Sequence, residues 1–169
     1  MEGMQVRPAR ASWLGVLLAA ALCACGGEGG RLEGSVTSLI DLRYDRAEAQ
    51  LAEGELAVNF VTQQGTGTNT VLKVSARVAD MIPEGYTGSL DVNLAEVLDS
   101  GAQRGAIGRN VLDEPARTFP ALRVGGLKVK ALPSQQGQRI SGEFHVTFEN
   151  GTHTYSGRTI FGSFEATVP

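Results

Sequence analysis

A chain of 169 residues, 42% hydrophobic and 20% charged, is long enough for one domain with a real core, and this composition excludes wholesale disorder. Its 15 basic residues are scattered among 18 acidic ones for a net charge of −3, so it lacks the basic face that nucleic-acid binding needs. Only 6% is aromatic while 22 residues are glycine, a balance that favours turns and strands over broad helical faces.

The first predicted element is a leader. Residues 1–13 carry Arg7 and Arg10, and the following stretch Leu14–Ala24, LGVLLAAALCA, is apolar throughout. As a helix that stretch covers roughly 16 Å, about half of the ~30 Å hydrocarbon layer, so it reads as a secretory signal peptide rather than a membrane span. The chain's two cysteines, Cys23 and Cys25, stand at its end.

Leu22-Cys23-Ala24-Cys25 resembles the bacterial lipobox, with Leu at −3, a small residue at −1 and the obligatory Cys at +1. The resemblance implies cleavage between Ala24 and Cys25, diacylglycerol on the Cys25 thiol and a further acyl chain on its amino group. Acceptance by Cys23 would put the bulky Leu22 at −1, a poor match. A redox pair or zinc site would need partners, and no cysteine follows Cys25.

On this reading residues 1–24 are the signal peptide, 25–31 the acylated cysteine with its Gly-rich tether, and 32–169 the folded domain. Cleavage removes Arg7, Arg10 and Glu2, taking the net charge from −3 to −4. Each buried methylene contributes about 0.8 kcal/mol, so two or more acyl chains anchor stably in a bilayer. Gly26 at +2 is not the Asp of inner-membrane retention, so the resemblance implies sorting to the outer membrane. The expected partners are the lipid bilayer, through Cys25, and an envelope protein.

Downstream, short period-two runs separated by turn signals predict strands. Asp45–Glu53 reads two ways. As a helix it has Asp45 as N-cap and Glu48 three residues on. As a strand it turns at Glu53-Gly54 and sets Leu51, Ala49 and Ala47 opposite Leu56, Val58 and Phe60. Val71–Ala79 places Leu72, Val74, Ala76 and Val78 inward, and Ser89–Ala95 does the same with Leu90, Val92 and Leu94. Leu122–Leu132 alternates Leu127, Val129 and Ala131 with Lys128 and Lys130, and Gly125-Gly126 is expected to bend or bulge. The loops Thr62–Thr70 and Glu96–Ala106 are expected to be mobile contact surfaces.

Arg139–Arg158 predicts a hairpin closed by Asn150-Gly151 in a type I′ turn. That register sets Phe148 against His153, Val146 against Tyr155 and Phe144 against Gly157, with Tyr155 and a semi-buried His153 on the apolar side. A final strand, Thr159–Val168, turns Phe164, Ala166 and Val168 inward. It echoes Ile140–Phe148, Gly142 aligning with Gly162 and Phe144 with Phe164, which reads as two strands of one sheet. Together these elements predict an antiparallel β-sandwich, or small barrel, of about seven to nine strands.

Candidate chemistry is sparse. His145 and His153 fall on opposite faces of the predicted hairpin, which argues against a shared metal. Gly65-Thr66-Gly67-Thr68 lacks the lysine of a phosphate loop, and there is no G-x-S-x-G, H-E-x-x-H or calcium-loop pattern. The carboxylates Asp41, Asp45, Asp80, Asp91, Asp99, Asp113 and Glu114 read as solvated surface charge. Trp13 lies in the leader, leaving Tyr44, Tyr86 and the inward Tyr155 as aromatic platforms for a sugar. Asn150-Gly151-Thr152 is a sequon that reads only as a turn. No catalytic, cofactor or metal residue is assigned. The expectation is an anchored, non-catalytic envelope lipoprotein with a structural or protein-interaction role. The alternatives are an anchored module for a small, lipidic or glycan ligand, and a hydrolase using surface carboxylates.

Overall fold

A computed structural model describes residues 29–115 and 117–169, and these are nearly all β. The strands are β1 (Arg31–Glu33), β2 (Arg46–Ala52), β3 (Glu55–Gln64), β4 (Gly67–Arg77), β5 (Leu90–Asn93), β6 (Gly105–Asn110), β7 (Leu122–Val129), β8 (Arg139–Phe148) and β9 (Thr159–Thr167). A single 3-10 turn, Ser35–Ser38, follows β1. Hydrogen bonding runs β5-β7-β8-β9-β2-β3-β4-β6, with β1 also on β9. All pairings are antiparallel except β2 with β9, where Ala47 faces Ala166 and Glu48 faces Thr167.

The sheet curls around one apolar core without closing into a barrel, a sandwich-like all-β fold. Its two ends meet at one corner. There Leu94 N donates to Gly125 O (3.0 Å) while Leu94 O accepts from Gly105 N (2.9 Å). Beside them the Gln103 carboxamide clamps Leu122, donating to its carbonyl and accepting from its amide, both at 2.7 Å.

Asp45–Glu53 resolves as strand. Ala47 faces Phe60, Ala49 faces Val58 and Leu51 faces Leu56. Glu53 and Gly54 both take positive φ (52° and 76°), which is what a two-residue hairpin turn of primed type requires. Good helix formers yield here because the strand buries Ala47 and Ala49 beneath the aromatic core. Of the apolar faces predicted for β4, β5 and β7, Leu72, Val74, Ala76, Val78, Val92, Leu94, Leu127 and Val129 are buried, while Leu90 and Ala131 are half-buried against the core.

The hairpin is corrected. β8 pairs with β9, setting Phe144 against Gly162 and Val146 against Ile160, and residues 149–158 form a long connection rather than a two-residue turn. Phe164 and Ala166 face inward as expected, but on the strand that pairs β8 directly from Arg139 to Thr147, which sets Ile160, Phe164 and Ala166 beside the apolar face of β8. A sheet's register follows the larger apolar set. Tyr155 is still buried, but from within the loop, where its ring lies 4.8 Å from Phe119. His153 is exposed, not semi-buried, because no strand carries it inward.

Three smaller expectations also change. The bulge in β7 falls between Leu122 and Val124, while Gly125 and Gly126 stay in register opposite Val146 and His145. Gly126 instead makes room for a ring: a Cβ there would lie 2.7 Å from His145 Cε1. Thr62–Thr70 is not a mobile loop, since β3 and β4 continue pairing to Gln64 and Gly67 and only Gly65-Thr66 turns. Glu96–Ala106 folds back on itself through Leu98 N to Ala102 O (2.9 Å) and Arg104 N to Glu96 O (2.8 Å). Among the described residues no helix is long and apolar enough to cross a membrane.

Candidate functional site

Ala24 and Cys25, the positions the sequence assigns to cleavage and lipidation, lie outside the described residues. The description begins at Gly29 and Gly30, and Arg31, placed at the end of the tether by sequence, already pairs with Ser163 of β9. Gly30 is tightly seated, since a Cβ there would lie 2.6 Å from both Ser163 O and Tyr44 Oη. Gly30 and Arg31 are therefore seated against β9. Tyr44 Oη is buried without a hydrogen-bond partner among the described residues, and burial pushes its pKa up. Its ring meets Phe60 edge-on at 5.0 Å.

Beside Gly29 a groove of about 620 Å³ crosses β5, β7, β8 and β9 on the outer face of the sheet. Register explains its lining. Asp91 faces Lys128, Lys128 faces Glu143 and Glu143 faces Ser163, making one outward row across four strands. A second row sets Ser141 opposite Glu165, with Lys130 N donating to Ser141 O at 2.9 Å. Between the rows only backbone is presented, because Val129, Gly142 and Phe164 belong to the inward set. Lys128 Nζ lies 3.3 Å from Asp91 Oδ2. Lys130, Glu143 and Glu165 make no ion pair among the described residues, so the groove offers both charges and hydroxyls to a polar partner.

No three His, Cys, Asp or Glu side chains converge as a metal set among the described residues. His145 stands exposed on the outer face over Gly126, whereas His153 lies in the 149–158 loop, its Nδ1 accepting from Tyr155 N (3.3 Å). The structure does not bring the two histidines together.

Polar side chains are instead gathered around arginines of the β6 edge. Arg104, with 4% of its side chain exposed, donates from Nη1 and Nη2 to Asp80 (2.7 and 2.8 Å), from Nε to Glu96 (2.7 Å) and from Nη1 to Arg77 O (2.8 Å). These bonds hold its pKa above the ordinary arginine value and Asp80 below the usual carboxylate range. Arg109 donates to Glu114 (2.7 and 3.0 Å) and to the carbonyls of Asp41 (2.9 Å) and Val71 (2.8 Å). Glu114 also accepts from Arg117 Nε (2.9 Å), and Arg117 Nη1 donates to Tyr155 Oη (2.6 Å). The hydrogen bond from Arg109 is the main reason the Glu114 carboxyl is pulled down to about 2.

Asp41, Asp45, Asp80, Asp91, Asp99 and Asp113 are exposed, as expected of surface charge, and Glu114 is half-buried; what the sequence did not show is that most of them hold a partner. Asp80 and Glu114 hold arginines. Asp41 pairs with Arg43 (2.5 Å), Asp91 with Lys128, and Asp113 accepts from Gln64 Nε2 (2.9 Å). Asp45 caps the β3 edge, accepting from Gln63 N (2.7 Å) and Thr62 Oγ1 (2.9 Å). The arginines had no sequence signal: Arg104 immediately precedes the edge strand β6 and Arg109 lies near its end, and both reach other segments, a placement that depends on tertiary pairing. Compared with protein-family models, with curated proteins and with solved structures, the chain finds no match.

Proposed function

We propose that the protein is a membrane-anchored, non-catalytic lipoprotein of the bacterial cell envelope, its β domain tied to the outer membrane through acylated Cys25. One observation carries the reading: Leu22-Cys23-Ala24-Cys25 closes an apolar leader and stands six residues ahead of the first residue of β1, Arg31. Six residues span at most about 20 Å, so the anchor would hold β1 and the adjoining groove close to the bilayer. A Gly-rich tether of that length permits reorientation but not long reach.

The proposed role is protein interaction. Two features support it over catalysis. The domain's best-organised polar clusters, around Arg104 and Arg109, tie loops to the edge strand and have their bonding capacity taken up internally. The groove beside Gly29 is an open trough of mixed charge that suits a polar macromolecular surface. The test is detergent-phase partitioning of the full chain against Cys25→Ser. The wild type is expected in the detergent phase and the variant in the aqueous phase as precursor. A wild type that stays aqueous at precursor size sinks the proposal.

A second reading, an anchored module for a small, lipidic or glycan ligand, rests on that same groove of about 620 Å³. Binding of soluble glycans or short-chain lipids that shifts the resonances of Ser141, Glu143 and Glu165 would favour it. Shifts confined to protein partners would favour the first.

A further inference from the structure

Asn150-Gly151 is expected from sequence to close a hairpin, where both residues would be fixed at positive φ and hydrogen-bonded across the turn. The structure releases them from that role. They stand exposed on the crest of the 149–158 connection, and neither they nor Thr152 makes a hydrogen bond among the described residues. The loop is held on either side of the crest instead. Glu149 N donates to Ala121 O (2.8 Å), Gly157 N donates to Glu149 O (3.0 Å), and Tyr155 is buried. Around Gly151 the space is open: one atom, Ser156 Oγ, would come within 4 Å of a Cβ there, at 3.4 Å.

We propose that Asn150 is a deamidation site of the folded protein, with Gly151 supplying the nucleophile. The Gly151 amide nitrogen loses its proton to hydroxide and bonds to Asn150 Cγ, while the Cγ–NH₂ bond breaks and the departing nitrogen takes a proton from water, leaving as ammonia and returning the hydroxide. Water then opens the cyclic imide. Opening at Cγ restores a normal backbone with an aspartate side chain. Opening at the main-chain carbonyl gives isoaspartate, which adds a methylene to the backbone. Water is the co-reactant and nothing is oxidised or reduced.

Glycine matters because any side chain on the following residue shields its amide nitrogen and restricts the backbone rotation that brings it to Cγ. The remaining asparagines lack this setting. Asn59, Asn69, Asn93 and Asn110 precede Phe60, Thr70, Leu94 and Val111. Asn69 is additionally buried, its carboxamide bonded to Gln64 and to Leu112 N. After Asn93, the amide of Leu94 is committed to Gly125 O. Either product adds a negative charge next to Gly157, whose Cβ position lies 3.0 Å from Asn150 Oδ1. The loop would therefore exist as a mixture of charge forms that shifts with age, independently of any anchor.

The test is incubation of the full chain at mildly alkaline pH, in buffer and in urea, followed by peptide mapping across Ile140–Arg158. That peptide is expected to gain about 1 Da and split into aspartyl and isoaspartyl forms, faster than any other asparagine peptide. Because the crest is open, the native rate is expected within roughly threefold of the unfolded rate. Gly151→Ala, at a position whose φ is not in the left-handed region, is expected to fold normally and to slow conversion about tenfold or more. A native rate far below the unfolded one, equal conversion at Asn93 or Asn110, or no slowing in Gly151→Ala overturns the proposal.

Discussion

Gly142 of β8 and Phe164 of β9 face each other across the ladder, and the Phe164 ring occupies the space a Gly142 side chain would take. The relation is reciprocal one step along, where Gly162 faces Phe144 and a Cβ at Gly162 would lie 3.2 Å from Phe144 Cε1. Phe60 of β3 packs on both rings, at 5.8 and 6.1 Å. Two glycines thus let three aromatics share the centre of a thin core. The first prediction follows. At Gly142 a Cβ would lie 2.2 Å from Lys128 O and 2.5 Å from Phe164 Cζ, so neither backbone nor ring can stay in place. Gly142→Ala is expected to destabilise the domain by about 1–3 kcal/mol in urea, as overpacked cores do. An unchanged midpoint would mean the two rings do not fill that space.

The Arg104 clamp gives a second prediction. Replacing it with Met keeps much of its volume but leaves Asp80 and Glu96 without their cation and Arg77 O without its donor. Hydrogen bonds to charged groups contribute about 1.5–3 kcal/mol, and the exposure of the carboxylates places the expected loss at the low end. Arg104→Lys recovers one charge but not the fork, so it should fall between wild type and Met. Hydrogen exchange should show the loss concentrated in 96–106, and a uniform loss across the sheet would contradict a local clamp.

Acid should loosen the structure through Glu114. Its folded pKa of about 2 lies below the ordinary 4.5, so it contributes stability above pH 4.5 that is lost as pH falls toward 2. Asp41, Asp45 and Asp80 are lowered too and act in the same direction. Urea midpoints measured between pH 5 and 2 should therefore fall with acid, and less steeply in Glu114→Gln. Parallel slopes for the two proteins would show that the Arg109–Glu114–Arg117 bridge is not what titrates.

Tyr44 offers the opposite kind of test. Its hydroxyl is buried and unpartnered among the described residues, so removing it exposes no lost bond. Tyr44→Phe is expected to leave stability unchanged or to raise it slightly, since an unsatisfied buried polar group is a cost. A loss on the order of 1 kcal/mol would show that the hydroxyl holds a partner after all.

What could be read from the residues was local. Period-two alternation placed most strands, and of the two readings of Asp45–Glu53 the strand reading had the β2–β3 register to the residue, with Leu51, Ala49 and Ala47 opposite Leu56, Val58 and Phe60. Asn150-Gly151 carried a strong turn signal and was overruled, because β9 pairs β8 from Arg139 to Thr147 and sets Ile160, Phe164 and Ala166 beside its apolar face. The echo between β8 and β9 was read as two strands of one sheet, and they pair in it; the antiparallel ladder that sets each glycine against a phenylalanine was not legible. The arginine clamps left no trace, since each joins residues brought together only by the sheet. The groove was equally hidden, its charges coming from four strands.

The most direct test of the account is the intact mass and N-terminal peptide of the protein extracted from membranes. The expected species is a chain that starts at Cys25 and carries a diacylglyceryl group on its thiol, with a further acyl chain on its amino group. A mature protein that begins elsewhere, or an unmodified Cys25 thiol, would contradict it.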